Sequence, residues 1–141
     1  MRKNVAVILA GGIGTRTGLD VPKQFLKVAG RTIVEHTVEA FERNRYVNEI
    51  AIVVHPAYVS VIENMVLKNR WRKAKRILKG GTQRYESSLA AIRAYSDDSS
   101  IILIFHDAVR PLVSQRIIDD VIMGLEEYEA VDTAIPAVDT I

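Results

Sequence analysis

The 141-residue chain contains no cysteine, which excludes disulfide bonds and thiolate metal sites and is typical of a reducing compartment. Long apolar runs are missing as well. The longest, VAVILA and IILIF, are far shorter than the roughly 20 residues of a membrane-spanning helix. The N-terminal MRKN leads into the first of these runs without the cleavage pattern of a signal peptide. We therefore predict a soluble cytoplasmic protein with no membrane partner.

A strong charge of either sign is also absent, because 19 basic and 17 acidic residues leave a net charge of +2. Such a balance gives no electrostatic basis for nucleic-acid binding. The one basic cluster, KNRWRKAKR at residues 68–76, has two interpretations: a solvated helix end followed by a turn, or a nucleic-acid patch. We favour the solvated helix end and expect no nucleic-acid partner.

The chain does have short apolar runs that alternate with segments of helical period. The runs predict five strands, at residues 5–10, 49–54, 74–79, 100–105 and 131–138. The helices between them are predicted to begin after Thr32, at Pro56, near Thr82 and after Ser114. This alternation predicts an α/β fold, a single three-layer α/β/α domain over residues 1–141 with a mostly parallel, Rossmann-like sheet. Since Pro136 cannot donate to a strand ladder, we expect the last strand to be bent or to lie at an edge.

Ligands of such sheets bind beyond the carboxyl ends of the strands. Three loops in that position have unusual sequences: AGGIGTR at residues 10–16, GGTQR at 80–84 and HDAVRP at 106–111. In the first, Gly11, Gly12 and Gly14 leave the main chain bare, so that successive N–H groups can hold phosphate oxygens. Arg16 and Lys23 add two positive charges suited to a triphosphate. The alternative is a tight strand-to-helix turn with an exposed Arg and Lys.

Two familiar phosphate-binding patterns do not fit the first loop. A Walker loop needs Gly-Lys-Ser or Gly-Lys-Thr at its end, which is absent here. GGIGTR lacks the third glycine of the dinucleotide fingerprint, and no acidic ribose partner is evident about 20 residues further on. A dinucleotide-dependent oxidoreductase is therefore the least favoured function.

LAGGIGTR followed by PKQF resembles the signature loop of nucleotidyltransferases that join a nucleoside triphosphate to a sugar phosphate. Pro-Lys-Gln is similar to the cytidylyltransferases, where relatives using other nucleotides read Pro-Lys-Pro. GGTQRYESS and HDAVRP resemble two further motifs, in the expected order, of one family. That family contains 2-C-methyl-D-erythritol 4-phosphate cytidylyltransferase and ribitol-5-phosphate cytidylyltransferase. The resemblance covers all 141 residues.

The resemblance implies that the backbone from Ala10 to Gly14 holds the triphosphate of CTP. Arg16 and Lys23 would be the catalytic residues, neutralising charge as the acceptor phosphate attacks the α-phosphorus and pyrophosphate leaves. Catalysis would work by positioning and electrostatics, without a covalent intermediate.

The second loop is implied to bind the base. Gly81, Thr82 and Ser87 match positions that contact cytosine, and Arg84 would brace the loop or contact the ligand directly. In the third loop, Asp107 would hold Mg²⁺ and Ala108 would pack near the ribose. Thr140 matches a position beside the acceptor polyol phosphate. Asp107 could instead be a turn carboxylate, and we interpret its neighbours His106 and Arg110 as structural.

Members of the family run beyond 200 residues and have a dimerisation arm and a final helix, so the chain is expected to be the front part of a longer, homodimeric protein. Val138 before Asp139 and Thr140 favours ribitol 5-phosphate as the acceptor over 2-C-methyl-D-erythritol 4-phosphate. Two alternatives remain open: a non-catalytic CTP-binding fragment, and a sugar-1-phosphate nucleotidyltransferase using UTP or dTTP.

Overall fold

A computed structural model of the chain describes residues 2–13 and 21–136. The predictions made for Gly14, Arg16 and Thr140 therefore lie outside the described residues. The strands are β1 Lys3–Ala10, β2 Lys27–Val28, β3 Arg31–Thr32, β4 Glu49–Val54, β5 Ala74–Lys79 and β6 Ile101–Asp107. The α-helices are α1 Ile33–Glu42, α2 Val59–Asn69, α3 Arg84–Ala94 and α4 Gln115–Glu127, and short 3-10 helices span Lys23–Phe25 and Pro56–Tyr58.

Four strands form a parallel sheet in the order β5-β4-β1-β6. The register places Val7 of β1 between Ala51 of β4 and Phe105 of β6. The chain thus builds outward from β1 to β5 and then returns to the opposite side of β1. The strand order thus reverses beside β1, and open α/β sheets bind ligands at such a reversal, beyond the carboxyl ends of the strands.

Both faces of the sheet are covered, as the continuously apolar strands predict. Alternate residues of β1 point to opposite sides, so Ile8 packs with Val38 of α1 and Ile118 of α4, whereas Val7 packs with Ala91 of α3. Helices α1, α2 and α4 therefore lie on one face and α3 on the other. The predicted three-layer α/β/α fold is confirmed.

The helix starts predicted after Thr32 and after Ser114 are confirmed by their capping bonds. The hydroxyl of Thr32 accepts from the backbone N–H of Glu35, whose carboxylate accepts in return from the N–H of Thr32 at 2.7 Å. Ser114 Oγ accepts from the N–H of Ile117 at 3.2 Å. The segment that begins at Pro56 makes one 3-10 turn before α2 starts.

The prediction of a fifth strand over residues 131–138 is wrong for the part that the structure describes. Residues 131–136 are assigned to neither helix nor strand, and 137–138 lie outside the described residues. Residues 132–136 are exposed and Pro136 has no N–H to donate, so this stretch lacks both the burial and the pairing that make a strand. Val131 instead lies against Gly124 of α4, where a Cβ atom would approach it to 3.1 Å.

The small β2–β3 hairpin was not predicted from the sequence. Its two turn residues, Ala29 and Gly30, both have positive φ angles, at 50° and 80°. That is the backbone of the tight two-residue turns favoured in hairpins. The hairpin leads directly into the capping residue of α1. None of the helices in the described ranges has the length and apolar run required to cross a bilayer.

Candidate nucleotide-binding site

The three loops singled out in the sequence leave the carboxyl ends of β1, β5 and β6, and the structure brings them together. Ser87 on the first turn of α3 links two of them. A Cβ atom on Gly11 would lie 2.8 Å from Ser87 Oγ, and one on Gly80 would lie 2.7 Å from the same atom. Both distances are shorter than carbon and oxygen atoms tolerate, so the loops can close on Ser87 only because both residues are glycines.

The first loop is also held from the side of the Pro-Lys-Gln triplet. The Gln24 side chain is buried, and its Nε2 donates to the carbonyls of Ala10 at 2.9 Å and Gly12 at 2.7 Å. Pro22 and Gln24 are buried while Lys23 between them is exposed. The Lys23 ammonium is therefore exposed to solvent, next to the first loop, which Gln24 holds in place.

Glu86 organises the second loop. Its carboxylate accepts from the backbone N–H of Gln83 at 2.8 Å and from the hydroxyl of Thr82 at 3.1 Å. These two hydrogen bonds lower the pKa of Glu86, and the bond from Gln83 has the larger effect. A Cβ atom on Gly81 would overlap the Glu86 side chain, so the close approach requires glycine at this position.

Asp107, the last residue of β6, joins the second loop to the third. Its Oδ1 accepts from Arg84 at 2.7 Å and its Oδ2 accepts from Arg110 Nε at 3.0 Å. The two guanidinium groups are mostly exposed, whereas the Asp107 side chain is 19% exposed. The carboxylate is thus bracketed by two positive charges at the end of the strand.

The remaining contacts fix the third loop internally. His106 Nε2 lies 2.9 Å from the carbonyl oxygen of Arg110, an acceptor, so the bond places a proton on Nε2. The ring packs against Phe41 with centroids 4.9 Å apart. These contacts support a structural interpretation of His106. Ala108 is buried, its N–H donates to the carbonyl of Leu9 at 3.0 Å, and its carbonyl accepts from Thr37 at 2.7 Å.

Asp107 fits Mg²⁺ as a single ligand. No group of three or more His, Asp or Glu side chains suited to a metal gathers within residues 2–13 and 21–136. Magnesium in nucleotide enzymes is commonly held by one or two carboxylates together with substrate phosphates and water. The donor set is therefore right for a cation that arrives on the nucleotide, and the two guanidinium groups on Asp107 would have to share the carboxylate with it.

Most of the predicted site residues in described positions lie in the three loops or at their strand ends, whereas Ser87 lies on the first turn of α3 and Lys23 lies on the 3-10 helix Lys23–Phe25. Ser87 contacts the first loop, Arg84 contacts Asp107, and Thr82 is engaged by Glu86. Ala10, Ser87 and Ala108 are largely buried. Gly12 and Lys23 are exposed.

This geometry agrees with a comparison of the sequence with protein-family models. Residues 4–141 match the model described as IspD, 2-C-methyl-D-erythritol 4-phosphate cytidylyltransferase. The chain belongs to this family. The IspD family model thus includes all three loops and the sheet that carries them.

Relatives with known names fall into two groups, ribitol enzymes and methylerythritol enzymes. The chain is 49% identical over 140 residues to the bifunctional ribulose 5-phosphate reductase/CDP-ribitol pyrophosphorylase Bcs1 of Haemophilus influenzae, covering 99% of this chain and 30% of that protein. It is 43% identical over 137 residues to 2-C-methyl-D-erythritol 4-phosphate cytidylyltransferase of Thermobifida fusca (strain YX), covering 96% of this chain and 55% of that protein. The chain therefore spans about half or less of the length of these relatives.

Solved structures of the family share the fold. The crystal structure of 4-diphosphocytidyl-2C-methyl-D-erythritol synthase from Anaerococcus prevotii DSM 20548 superposes with a TM-score of 0.81 at 26% identity. The match covers 99% of this chain and 58% of that one. The sheet and helices described above are thus those of an IspD-family nucleotidyltransferase.

Three residues that shape the site were not among the predicted site residues. Gln24 holds the first loop, Gly80 makes room for Ser87, and Glu86 holds the second loop. For Glu86 a signal was present, because a Glu at the third position of a helix is typical of a capping box. Periodicity does not reveal the contacts of Gln24, which reach back to Ala10 and Gly12, or the contact of Gly80 with Ser87, which depends on how the loop turns into α3.

Proposed function

We propose that the chain carries the CTP-binding part of a cytidylyltransferase that transfers CMP to a polyol phosphate, giving a CDP-polyol and pyrophosphate. The convergence of the three family loops on Ser87 and Asp107 is the observation that supports it. Ser87 lies between the first and second loops, and Arg84 on Asp107 ties the second to the third. One ligand can therefore touch all three.

Transfer of CMP requires that the two substrates are positioned and that negative charge on the phosphates is neutralised. An oxygen of the acceptor phosphate attacks the α-phosphorus of CTP, and the bond from that phosphorus to the β-phosphate oxygen breaks, so that pyrophosphate leaves. Lys23 and Arg16 balance the negative charge that builds up, and the N–H groups from Ala10 to Gly14 hold the triphosphate. Such catalysis rests on positioning and electrostatics. Mg²⁺ held by Asp107 would supply further charge neutralisation on the phosphates.

Within the site, each loop is assigned to a different part of CTP. We assign cytosine to Gly81, Thr82 and Ser87, because these positions match those that contact cytosine in the family and Ser87 joins the first and second loops. Ala108, which is buried, would then lie beneath the ribose. Arg84 braces the second loop through Asp107. Thr140 remains a sequence-based proposal for the acceptor side.

For the acceptor we favour ribitol 5-phosphate over 2-C-methyl-D-erythritol 4-phosphate. Val138 before Asp139 and Thr140 supports this choice, as does the 49% identity to a protein named CDP-ribitol pyrophosphorylase, against 43% to a methylerythritol enzyme. Ribitol 5-phosphate consumption would place the protein in the synthesis of a ribitol-containing polymer. We further propose a homodimer for the full-length protein and a cytoplasmic location.

One assay tests the proposal. The protein is incubated with Mg²⁺, each of ATP, GTP, CTP, UTP and dTTP in turn, and either ribitol 5-phosphate or 2-C-methyl-D-erythritol 4-phosphate, and pyrophosphate release is followed. Turnover with CTP alone is expected, faster with ribitol 5-phosphate. Turnover with UTP or dTTP instead would replace the proposal with a different nucleotidyltransferase.

A second candidate is a CTP-binding unit without activity of its own. It is favoured by one observation, that the chain covers only 30% and 55% of the two relatives described above. Calorimetric titration of the chain with CTP distinguishes the cases. Binding without turnover would support this candidate, and absence of binding would contradict both.

A further inference from the structure

We infer that Gln24 is a positioning residue that orients the backbone of the first loop toward the β- and γ-phosphates of the nucleotide. This inference rests on the proposed function. Gln24 is 4% exposed, and its Nε2 donates to two carbonyls of the loop, those of Ala10 and Gly12. One side-chain nitrogen thus fixes two peptide units separated by a single residue.

The two hydrogen bonds determine where the loop's amides point. In a trans peptide unit the C=O and N–H bonds point in opposite directions. The carbonyls of Ala10 and Gly12 both face Gln24, so the N–H groups of Gly11 and Ile13 both face away from it. Two amides on the same side of a glycine-rich turn form a concave anion-binding surface. Without Gln24, either peptide unit could rotate and turn a carbonyl toward the phosphates.

Gln24 is itself well anchored. It occupies the middle of the 3-10 helix Lys23–Phe25, and the neighbouring ring of Phe25 stacks on Tyr58 with centroids 4.8 Å apart. The preceding Pro22 is buried. The same turn exposes Lys23, so Gln24 ties the position of this cation to the direction of the loop's amides. An amide is suited to this task because its two N–H bonds can serve two carbonyls, which a proline in its place could not do.

If Gln24 acts on the β- and γ-phosphates, its removal should weaken binding of CTP but not of CMP, which lacks both groups. Gln24→Met keeps the length of the side chain and removes both donors. Calorimetric titrations of the 141-residue chain with CTP and with CMP should show CTP affinity falling tenfold or more, while CMP affinity stays within threefold of the parent. Gln24→Glu, which is isosteric but offers acceptor oxygens to two carbonyls, should reduce CTP affinity further. In the pyrophosphate assay, KM for CTP should rise and KM for the acceptor should not.

Gln115→Met is the matched control. Gln115 on α4 also donates through Nε2 to a backbone carbonyl, that of Ala40 at 2.7 Å, but lies outside the three loops. This variant should keep the parent's ratio of CTP to CMP affinity. Thermal unfolding of each variant shows whether the chain is folded, and Gln24→Ala replaces Gln24→Met in the comparison where the latter is not.

The outcomes separate this inference from the proposed function. A parent chain that binds neither CTP nor CMP contradicts the proposed function. A parent that binds CTP more tightly than CMP, with a Gln24 variant that keeps the same ratio, overturns only the inference. Equal losses of CTP and CMP affinity overturn it too, because Gln24 would then support the whole site and not the phosphate loop.

Discussion

The guanidinium of Arg84 lies 2.7 Å from Oδ1 of Asp107, so the first residue of α3 is tied to the last residue of β6. About three quarters of the Arg84 side chain is exposed, at 77%. Exposed ion pairs add little to stability. What this pair contributes is position, because it holds the loop after β5 against the end of β6.

We therefore expect Arg84→Gln to impair function more than folding. kcat/KM for CTP should fall by about tenfold or more, while the free energy of unfolding changes by less than about 0.5 kcal/mol. Arg116→Gln is the control, since Arg116 is an exposed arginine that pairs with Asp120 at 3.4 Å on α4, away from the three loops. If Arg84→Gln has the same kinetics as Arg116→Gln, the ion pair between Arg84 and Asp107 is not needed for function.

Lys23→Ala tests the catalytic assignment. A cation that acts mainly on charge developing in the transition state should lower kcat by about a hundredfold when removed, with the Kd for CTP changed far less. Arg16→Ala should behave in the same way. Lys27→Ala, which removes another exposed lysine four residues later on β2, should leave both quantities unchanged. Equal losses in kcat and CTP binding would mean that Lys23 contributes only ground-state affinity.

The packing of Ser87 against two glycines predicts a rescue. Gly80→Ala would place a Cβ atom 2.7 Å from Ser87 Oγ and should lower the free energy of unfolding by about 1–3 kcal/mol. Removing the hydroxyl as well, in Gly80→Ala with Ser87→Ala, should recover most of that loss because the other neighbours of the new Cβ lie at ordinary contact distances. Denaturant titration of the two single variants and the double variant measures the coupling. Additive effects would contradict the predicted contact.

Glu35 predicts a loss of stability in acid. Burial alone would raise its pKa, but hydrogen bonds from Asn69, Thr32 and Lys68 outweigh burial and lower the pKa from 4.5 to about 2. A lowered pKa stabilises the folded state above pH 4.5, and this stabilisation disappears as the pH falls toward 2. The contribution is about 3 kcal/mol.

The measurement is the free energy of unfolding between pH 7 and pH 2, for the parent and Glu35→Gln. The variant should be less stable at pH 7 and should lose less stability over this range. Glu39 and Glu49 also have lowered pKa values, so part of the decrease in the free energy of unfolding with falling pH remains in both proteins. Parallel curves for parent and variant would contradict the role given to Glu35.

Most of the fold could be predicted from the sequence because its signals are local. The strands β1, β4 and β6 contain continuous apolar runs, and Thr32 and Ser114 cap helices through bonds to residues three positions away. The segment at 131–136 shows where this reasoning fails, since an apolar run becomes a strand only where a partner edge and N–H donors are available.

The chain by itself determined its four long strands, the caps at Thr32 and Ser114 and the three loops that follow strand ends, since each depends on neighbours within a turn or two. Only the tertiary structure decided which atoms of those loops meet. Ser87 between Gly11 and Gly80, and Gln24 on the carbonyls of Ala10 and Gly12, join residues up to 76 positions apart. Such contacts depend on the order of the strands and the packing of the helices, which bring distant loops to one edge of the sheet.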